Sequence, residues 1–360
     1  MLTSITLDAF KNHESVSFVW QEKNILVGAN GSGKTNVLEA LYLLVNTLPP
    51  PGRVFSQLIP TSSDLMSIGG AFMRNDLEYT HRMGYMGKEK KVQYFSQGTG
   101  VTRARYMSLL PVRAVLFAPL EMNILYLGPS LRRDFLDEAV LLAYPDFLAV
   151  KRNYQKVLRN RNALLKKIGE GGVSSDTLDI WDDLFTQEAE KYYMYRKKFL
   201  DFIRQHMESI KKLLEGKYRL SFEYTTKVDF ADVSGSIRTY LREKRERDII
   251  TGHTYIGPHL DDFTFQVHIG DAESFGTDEY LSRGENKTIL LGLKFLEIDF
   301  IESVSEKKTV LLLDDLFSEL DSEHIDYILE SIGDRQTFIT SQNMPTLLNR
   351  YENFNIIKID

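Results

Sequence analysis

The segment that most restricts what this chain can fold into is Gly28-Ala29-Asn30-Gly31-Ser32-Gly33-Lys34-Thr35. It fits GxxxxGK[ST], and its flanks are those the pattern needs: a short apolar strand before it (Asn24 to Val27) and a helical period after it. Val37, Leu38, Leu41, Leu44 and Val45 share one face of that helix. Glycines at these spacings let backbone N–H groups turn inward toward a phosphate, and the N-terminus of the following helix favours negative charge. Gly28, Asn30, Gly31, Ser32, Gly33, Lys34, Thr35 and Asn36 are therefore read as the phosphate cradle of a nucleoside triphosphate, ATP. Lys34 supplies a point charge to the terminal phosphates, and the Thr35 hydroxyl is a Mg²⁺ ligand.

A second constraint comes from far along the chain. Thr309 to Leu313 is an apolar run that ends in Asp314-Asp315, as a buried parallel strand does when it delivers acids at its C-terminal edge. Asp314 is the second candidate metal ligand. Asp315 is the candidate that orients or deprotonates an attacking water. Lys34 and Asp314 lie 280 positions apart, far more than one strand-helix-strand unit, so an insertion splits the nucleotide-binding fold.

The insertion is largely helical. Before it, alternating residues (Ile5, Leu7, Ala9; Val16, Phe18, Trp20) predict an N-terminal hairpin, and Leu77–Tyr85 with Val92–Phe95 predict a second. From about Ser130 to Glu215, Trp181, Phe185, Tyr192, Tyr195, Phe199, Phe202, Ile210 and Leu213 form a narrow seam at steps of mostly three and four. A preceding helix carries Phe147, Tyr154, Leu158 and Leu165. The flexible stretch Gly169 to Asp176 lets the two fold back on each other, with the second projecting roughly 50 Å as an arm. The expected architecture is α/β. A P-loop ATPase head with an antiparallel β subdomain spans 1–118 and 252–360, and a helical arm domain, a short antiparallel coiled coil, spans 119–251.

Charge narrows the partners. The net charge is −6, so nucleic-acid contact must be local. One local patch exists: Lys151, Arg152, Lys156, Arg159, Arg161, Lys166 and Lys167 fall within 18 residues that hold no acid. The stretch reads either as a solvated helix face or as a double-stranded DNA contact. The chain has no cysteine, which fits a reducing, cytoplasmic setting, and no run is apolar enough to span a membrane. The histidines show no zinc-ligand spacing, and His259 reads as a structural turn residue or as a nucleotide or DNA contact.

Further motifs carry a family resemblance. Leu281-Ser282-Arg283-Gly284-Glu285 precedes an apolar helix and resembles the LSGGQ signature of ABC ATPases, with Glu285 where glutamine is usual. A serine hydroxyl and a glycine amide at a helix start make an anion seat; Ser282 as a simple helix cap is the alternative. Ser318-Glu319-Leu320-Asp321 resembles a D-loop, and Ser341-Gln342-Asn343 stands where transporters carry their histidine switch. A head split by a coiled-coil excursion resembles the structural-maintenance-of-chromosomes branch. Phe10-Lys11-Asn12, GKTNVLEALYLL, GPSLRRDFLD, RNALLK, GPHLDD and LLLDDLFSELD are similar, in order, to segments of the RecF family. Leu131, Asp134, Leu260 and LSRGENK depart from its pattern, as in a divergent member.

The resemblance implies an ATP-dependent homodimer that binds duplex, gapped or junction DNA and hydrolyses ATP slowly as a release switch. It also implies the partners RecO and RecR in loading recombinase. It adds Asn12 and Asp321 to the nucleotide site, and gives Lys34, Ser282, Gly284 and Asp315 to catalysis, Ser282 and Gly284 acting across a dimer. Two other readings compete: an ATPase subunit of a nuclease complex of related architecture, and an ATP-gated interaction scaffold with little turnover.

Overall fold

The computed structural model describes residues 1–118, 121, 124–214, 217–269, 273–315, 322–342 and 354–359. The chain forms two compact units, residues 1–123 with 301–360, and residues 124–300.

The elements of the first unit begin with strands β1 (Leu2–Phe10), β2 (His13–Val19) and β3 (Lys23–Val27), followed by helix α1 (Lys34–Asn46). Strands β4 (Leu65–Arg74), β5 (Leu77–Met86), β6 (Lys91–Ser96) and β7 (Thr99–Val101) lead to α2 (Arg103–Leu109) and β8 (Val112–Phe117). The second unit contains α3 (Pro129–Ala143), α4 (Phe147–Gly169), α5 (Leu178–Gln205), α6 (Met207–Leu213) and β9 (Arg219–Thr225). It continues with α7 (Val233–Glu243), α8 (Arg245–Thr251), β10 (Asp262–Ile269), β11 (Glu273–Gly276), α9 (Thr277–Tyr280) and most of α10 (Arg283–Ser305). The chain then returns to the first unit with β12 (Lys308–Leu313), α11 (Ser322–Ser331), β13 (Thr337–Ser341) and β14 (Asn355–Lys358).

In the first unit, β14-β3-β13-β12-β8 form a parallel sheet and β2-β1-β4-β5-β6-β7 an antiparallel one. Their burial differs as their strand type requires. β8 is buried along its whole length and β12 at all but its first residue, as parallel strands covered on both faces are. β1 instead alternates, sending Leu2, Ile5, Leu7 and Phe10 to the core and leaving the other face half wet. Helix α1 is buried almost all round. Its residues from Val37 to Val45 join side chains of β1, β4 and β8 in one core, so the sequence KTNVLEALYLLVN needs no polar face.

Asn46 at the end of α1 is fully buried. It accepts from Ala114 N–H at 3.0 Å and donates to Ala114 C=O at 2.7 Å, so it serves as the missing neighbour of the edge strand β8. That ties the phosphate-loop helix to the sheet.

The second unit departs from the expected arm. Helix α5 stops after 28 residues, roughly 42 Å, where His206 turns its ring onto Phe202 and bonds the Phe202 carbonyl. Seam residues Phe185, Tyr192, Phe199 and Ile210 are buried as predicted, against neighbours that periodicity does not reveal. Phe135 of α3 and Phe300 of α10 pack on Phe199, Phe263 of β10 packs on Phe135, and α4 and α7 run beside α5. The antiparallel sheet β11-β10-β9 completes the unit. Pairing of Asp262–His268 with Arg219–Thr225 draws the 262–300 segment into this unit. Its limits therefore fall at 124 and 300 rather than at 119 and 251.

Replacing Asn46 by leucine strands a buried N–H and C=O of β8. We expect the variant to lose about 2 kcal/mol or more of stability in chemical denaturation.

Candidate functional site

The phosphate loop is held open by its own backbone. Gly33 has φ 103° and Gly31 φ 85°, a region that side chains avoid. A Cβ on Gly28 would lie 2.2 Å from the Ile359 carbonyl, so only glycine fits against the chain as it leaves β14. Gly28 N–H donates to Ser341 C=O, and Ile359 N–H to Val27 C=O, which pins the loop between β13 and the end of β14.

Around this loop the structure gathers residues from four parts of the sequence. Lys34 is buried, and its ammonium donates to the carbonyls of Gly28 and Ala29, both at 2.7 Å. Asn36 donates to Asn12 Oδ1 at 2.6 Å, and Asn12 donates to the Ser32 carbonyl at 3.3 Å. The Asn12 side chain therefore borders the cradle. Asn30 and Gly31 are exposed at the mouth. Among the described residues the buried Ser32 hydroxyl has no hydrogen-bond partner, an opening for a ligand oxygen.

The acids meet the loop on its other side. Thr35 donates its hydroxyl to Asp314 Oδ1 at 2.8 Å, and Thr340 donates to the same oxygen at 2.8 Å. Asp315 N–H donates to Thr340 Oγ1 at 2.8 Å. Asp315 adopts φ 47°, an unusual backbone for a non-glycine residue, which turns the chain as it leaves β12. The strand order explains the meeting: β3, β13 and β12 are adjacent and parallel, so their C-terminal ends share one edge of the sheet. Thr35, Leu38, Glu39, Arg53, Leu116 and Asp314 line a cavity of about 400 Å³ beside that edge.

Burial pushes the Asp314 carboxyl above the usual carboxylate range. Donation from Thr340 and Thr35 opposes this, and the charges of Asp315 and Glu39 reinforce it. A hydroxyl and a disfavoured carboxylate, both hard oxygen donors, suit a divalent cation such as Mg²⁺. The open loop with a buried lysine and an unpartnered serine suits a triphosphate.

Sequence reading missed two neighbours. Thr340 belongs to the apolar run Thr337-Phe338-Ile339-Thr340 of β13, and its position on the shared C-terminal edge is the signal that finds it. His13 Nε2 lies 3.2 Å from the Gly33 carbonyl, brought there by the β1–β2 turn.

In the second unit, Ser282 caps α10. Ser282 and Gly284 are exposed, and Glu285 closes a capping box: its carboxylate accepts from Ser282 N–H at 2.9 Å and from Ser282 Oγ at 2.7 Å. Asn286 is buried and anchors the turn through the carbonyls of Thr277 and Leu281. Asp321, Ser318-Glu319-Leu320 and Asn343 lie outside the described residues.

The basic stretch divides. Arg152, Lys156, Arg159, Lys166 and Lys167 are exposed on α4. Arg161 is not available to DNA: it is fully buried, and its guanidinium binds Asp182 at 2.8 Å, Asp248 at 3.1 Å and Thr254 at 2.7 Å. Lys151 is partly withdrawn by an ion pair with buried Asp137 at 2.9 Å. His259 is a structural residue: Tyr154 bonds its Nδ1, its Nε2 meets the Thr254 carbonyl, and burial lowers its pKa to about 4.

The family model described as RecF/RecN/SMC N terminal domain matches residues 1–359. A DNA replication and repair protein RecF from Lachnoclostridium phytofermentans is 32% identical over 362 residues, covering 100% of this chain and 98% of that protein. This chain belongs to the RecF family. A RecF from Streptococcus pneumoniae is 30% identical over 99% of this chain and 97% of its own. Two solved structures of the recombination mediator protein RecF in the RecFOR pathway share the fold. The RecF-ATP structure has TM-score 0.84 at 27% identity and covers 96% of this chain and 92% of its own. The RecF-ATPrS structure has TM-score 0.87 at 28% identity and covers 100% and 96%. The ABC/SMC-like α/β architecture expected from the motifs is thus that of the RecF family, in a divergent member.

Three outcomes follow from these contacts. Arg161→Ala, which leaves Asp248 buried without its guanidinium, should cost about 3–5 kcal/mol in chemical denaturation. Lys156→Ala and Arg159→Ala should stay within about 0.5 kcal/mol. For Asp314, a raised folded-state pKa favours the neutral acid, so its contribution to stability is present at acid pH and lost as pH rises through that value. Metal-free Asp314→Asn should therefore melt above the native chain at neutral pH, and the gap should narrow as the pH falls into the carboxylate range.

Proposed function

We propose that this chain is an ATP-driven switch of recombinational DNA repair, a cytoplasmic protein in which two copies close on ATP and separate after slow hydrolysis. The observation that carries the reading is the convergence of Thr35, Asp314, Thr340 and Asp315 around one oxygen-rich site, from positions far apart in sequence. Such a cluster has no structural need for two acids side by side at a sheet edge. It has a use for them in phosphoryl chemistry.

In this reading the backbone N–H groups of Gly31 to Lys34 hold the phosphates, and the Lys34 ammonium exchanges the Gly28 and Ala29 carbonyls for phosphate oxygen. Thr35 and Asp314 hold Mg²⁺, which when bound neutralises charge on the phosphate oxygens. Asp315, fixed by its N–H bond to Thr340, orients the attacking water and takes its proton. Asn12 and Asn36 border the nucleotide. Ser282 and Gly284, exposed at the start of α10, are the anion seat offered to the nucleotide of a second copy, and the family resemblance assigns Asp321 to the nucleotide as well.

Membership in a family of DNA replication and repair proteins supports duplex DNA as the macromolecular ligand. Relatives described in the RecFOR pathway support RecO and RecR as partners. Arg152, Lys156 and Arg159, three exposed cations spaced for one helix face, are the residues assigned to DNA phosphates. Their binding is sequence-tolerant and weakens steeply with salt.

Light scattering with no nucleotide, ADP or ATP, each with and without duplex DNA, tests the switch: a dimer with ATP alone supports it, and a monomer throughout sinks it. Asp315→Asn should keep the ATP dimer and slow hydrolysis by about 10²–10⁴. The triple alanine variant at 152, 156 and 159 should lower duplex affinity and flatten its salt slope, with an unchanged slope excluding the patch.

A further inference from the structure

Glu285 is where this chain departs from the glutamine usual in the signature motif, and the structure gives the departure a physical meaning. The carboxylate lies in the seat at the start of α10. One oxygen accepts from both the N–H and the hydroxyl of Ser282, at 2.9 and 2.7 Å, and the other accepts from Tyr218 O–H at 2.7 Å. Ser282 N–H and Oγ–H are the donors that a phosphate at this helix start would need. Both are already spent on a resident anion. Tyr218 is held in turn by an edge contact with Tyr280, whose ring stacks on Phe275.

Glu285 is ionised at neutral pH. Burial is the largest single influence and pushes its carboxyl up, but donation from Ser282 and Tyr218 together with the nearby Lys217 charge outweighs it and holds the carboxyl below its ordinary value. The same bond raises the Tyr218 phenol above its ordinary value. A negative charge at a helix N-terminus is favourable for the isolated subunit and unfavourable for a second anion arriving there.

We propose that Glu285 and Tyr218 form a latch that keeps Ser282 turned onto its own helix, so that the triphosphate of a second copy must displace a carboxylate to be bound. Glu285 and Tyr218 are positioning residues acting through Ser282. The latch rests on the reading of Ser282 as the seat for a nucleotide across the dimer. It sets a threshold: heads close only at nucleotide concentrations high enough to break the internal bonds, and a glutamine would lower that threshold because it lacks the charge and carries an amide that donates. Gln also completes a capping box at this position, so E285Q keeps the fold.

The test is a titration of the full chain with Mg²⁺ and the slowly hydrolysed analogue ATPγS, followed by light scattering, for the native protein, E285Q and Y218F. Half-maximal dimerisation of E285Q is expected at about threefold lower nucleotide or less, with Y218F shifted in the same direction by a smaller factor. Tyrosine ring-carbon NMR, with Tyr218 identified by its loss in Y218F, reads the latch directly. Its phenol should titrate above the ordinary range in the native monomer and return toward it in E285Q. If the native chain dimerises and E285Q needs as much nucleotide or more, the latch is overturned and the switch stands. An ordinary Tyr218 titration in the native monomer also overturns it. If neither chain dimerises, the trans seat falls and the latch falls with it.

Discussion

The hydrogen bond from Thr35 to Asp314 is the contact on which the organisation of the first unit turns. It joins the first turn of α1 to the end of β12, across an insertion that folds as a compact unit of its own. The bond is held in place because α1 has nowhere else to go: it is buried almost all round by a parallel and an antiparallel sheet, and Asn46 fixes its far end to β8. Thr340, on the strand between β3 and β12, completes the link. Close packing on every side of α1 leaves little freedom for the loop that precedes it, so the phosphate cradle is preorganised by the core.

The second unit rests on a different principle. Its interior holds charges as well as rings: Arg196 binds Asp137 at 2.6 Å and the Pro258 carbonyl at 2.7 Å, while Tyr224 donates to Asp261 at 2.7 Å. Together with the Arg161 cluster, these pairs tie α3, α4, α5 and α8 to the GPHLDD turn. A buried pair is costly to break, because the partner left behind keeps its desolvation penalty. The network fixes which helices meet rather than adding much to net stability. It also explains why a stretch dense in arginine and lysine yields a less basic surface than its composition promises: Arg161 is spent inside and Lys151 is half spent.

Much of the first unit was legible in the sequence. The GANGSGKT loop between apolar strand and amphipathic helix, the acid-tipped strand, and the hairpin that pairs 77–86 with 91–96 all appear where their periodicity puts them, since each is written in local spacing and turn chemistry. The helical seam was legible as burial but not as architecture. Phe185, Tyr192 and Phe199 are inside as the period demands, yet a period does not say which surface covers a helix. Strands β9 and β10 and the helices beside them supplied that cover, so an expected arm is a compact unit with later limits.

The sequence by itself determined the chemistry available: a phosphate loop, two acids at a strand end, a serine and glycine at a helix start, and the family these belong to. Tertiary structure alone decided which of those groups meet and which are already engaged. Thr340 joins Asp314 only because β13 lies between β3 and β12, and Arg161 leaves the surface only because α5 and α8 bring acids to it. Glu285 reads in sequence as one altered letter of a motif. In the fold it is a charge bonded to Ser282 and Tyr218. The difference is physical: side-chain type sets what bonds a group can make, while competition among neighbours brought together by packing sets which bonds it does make.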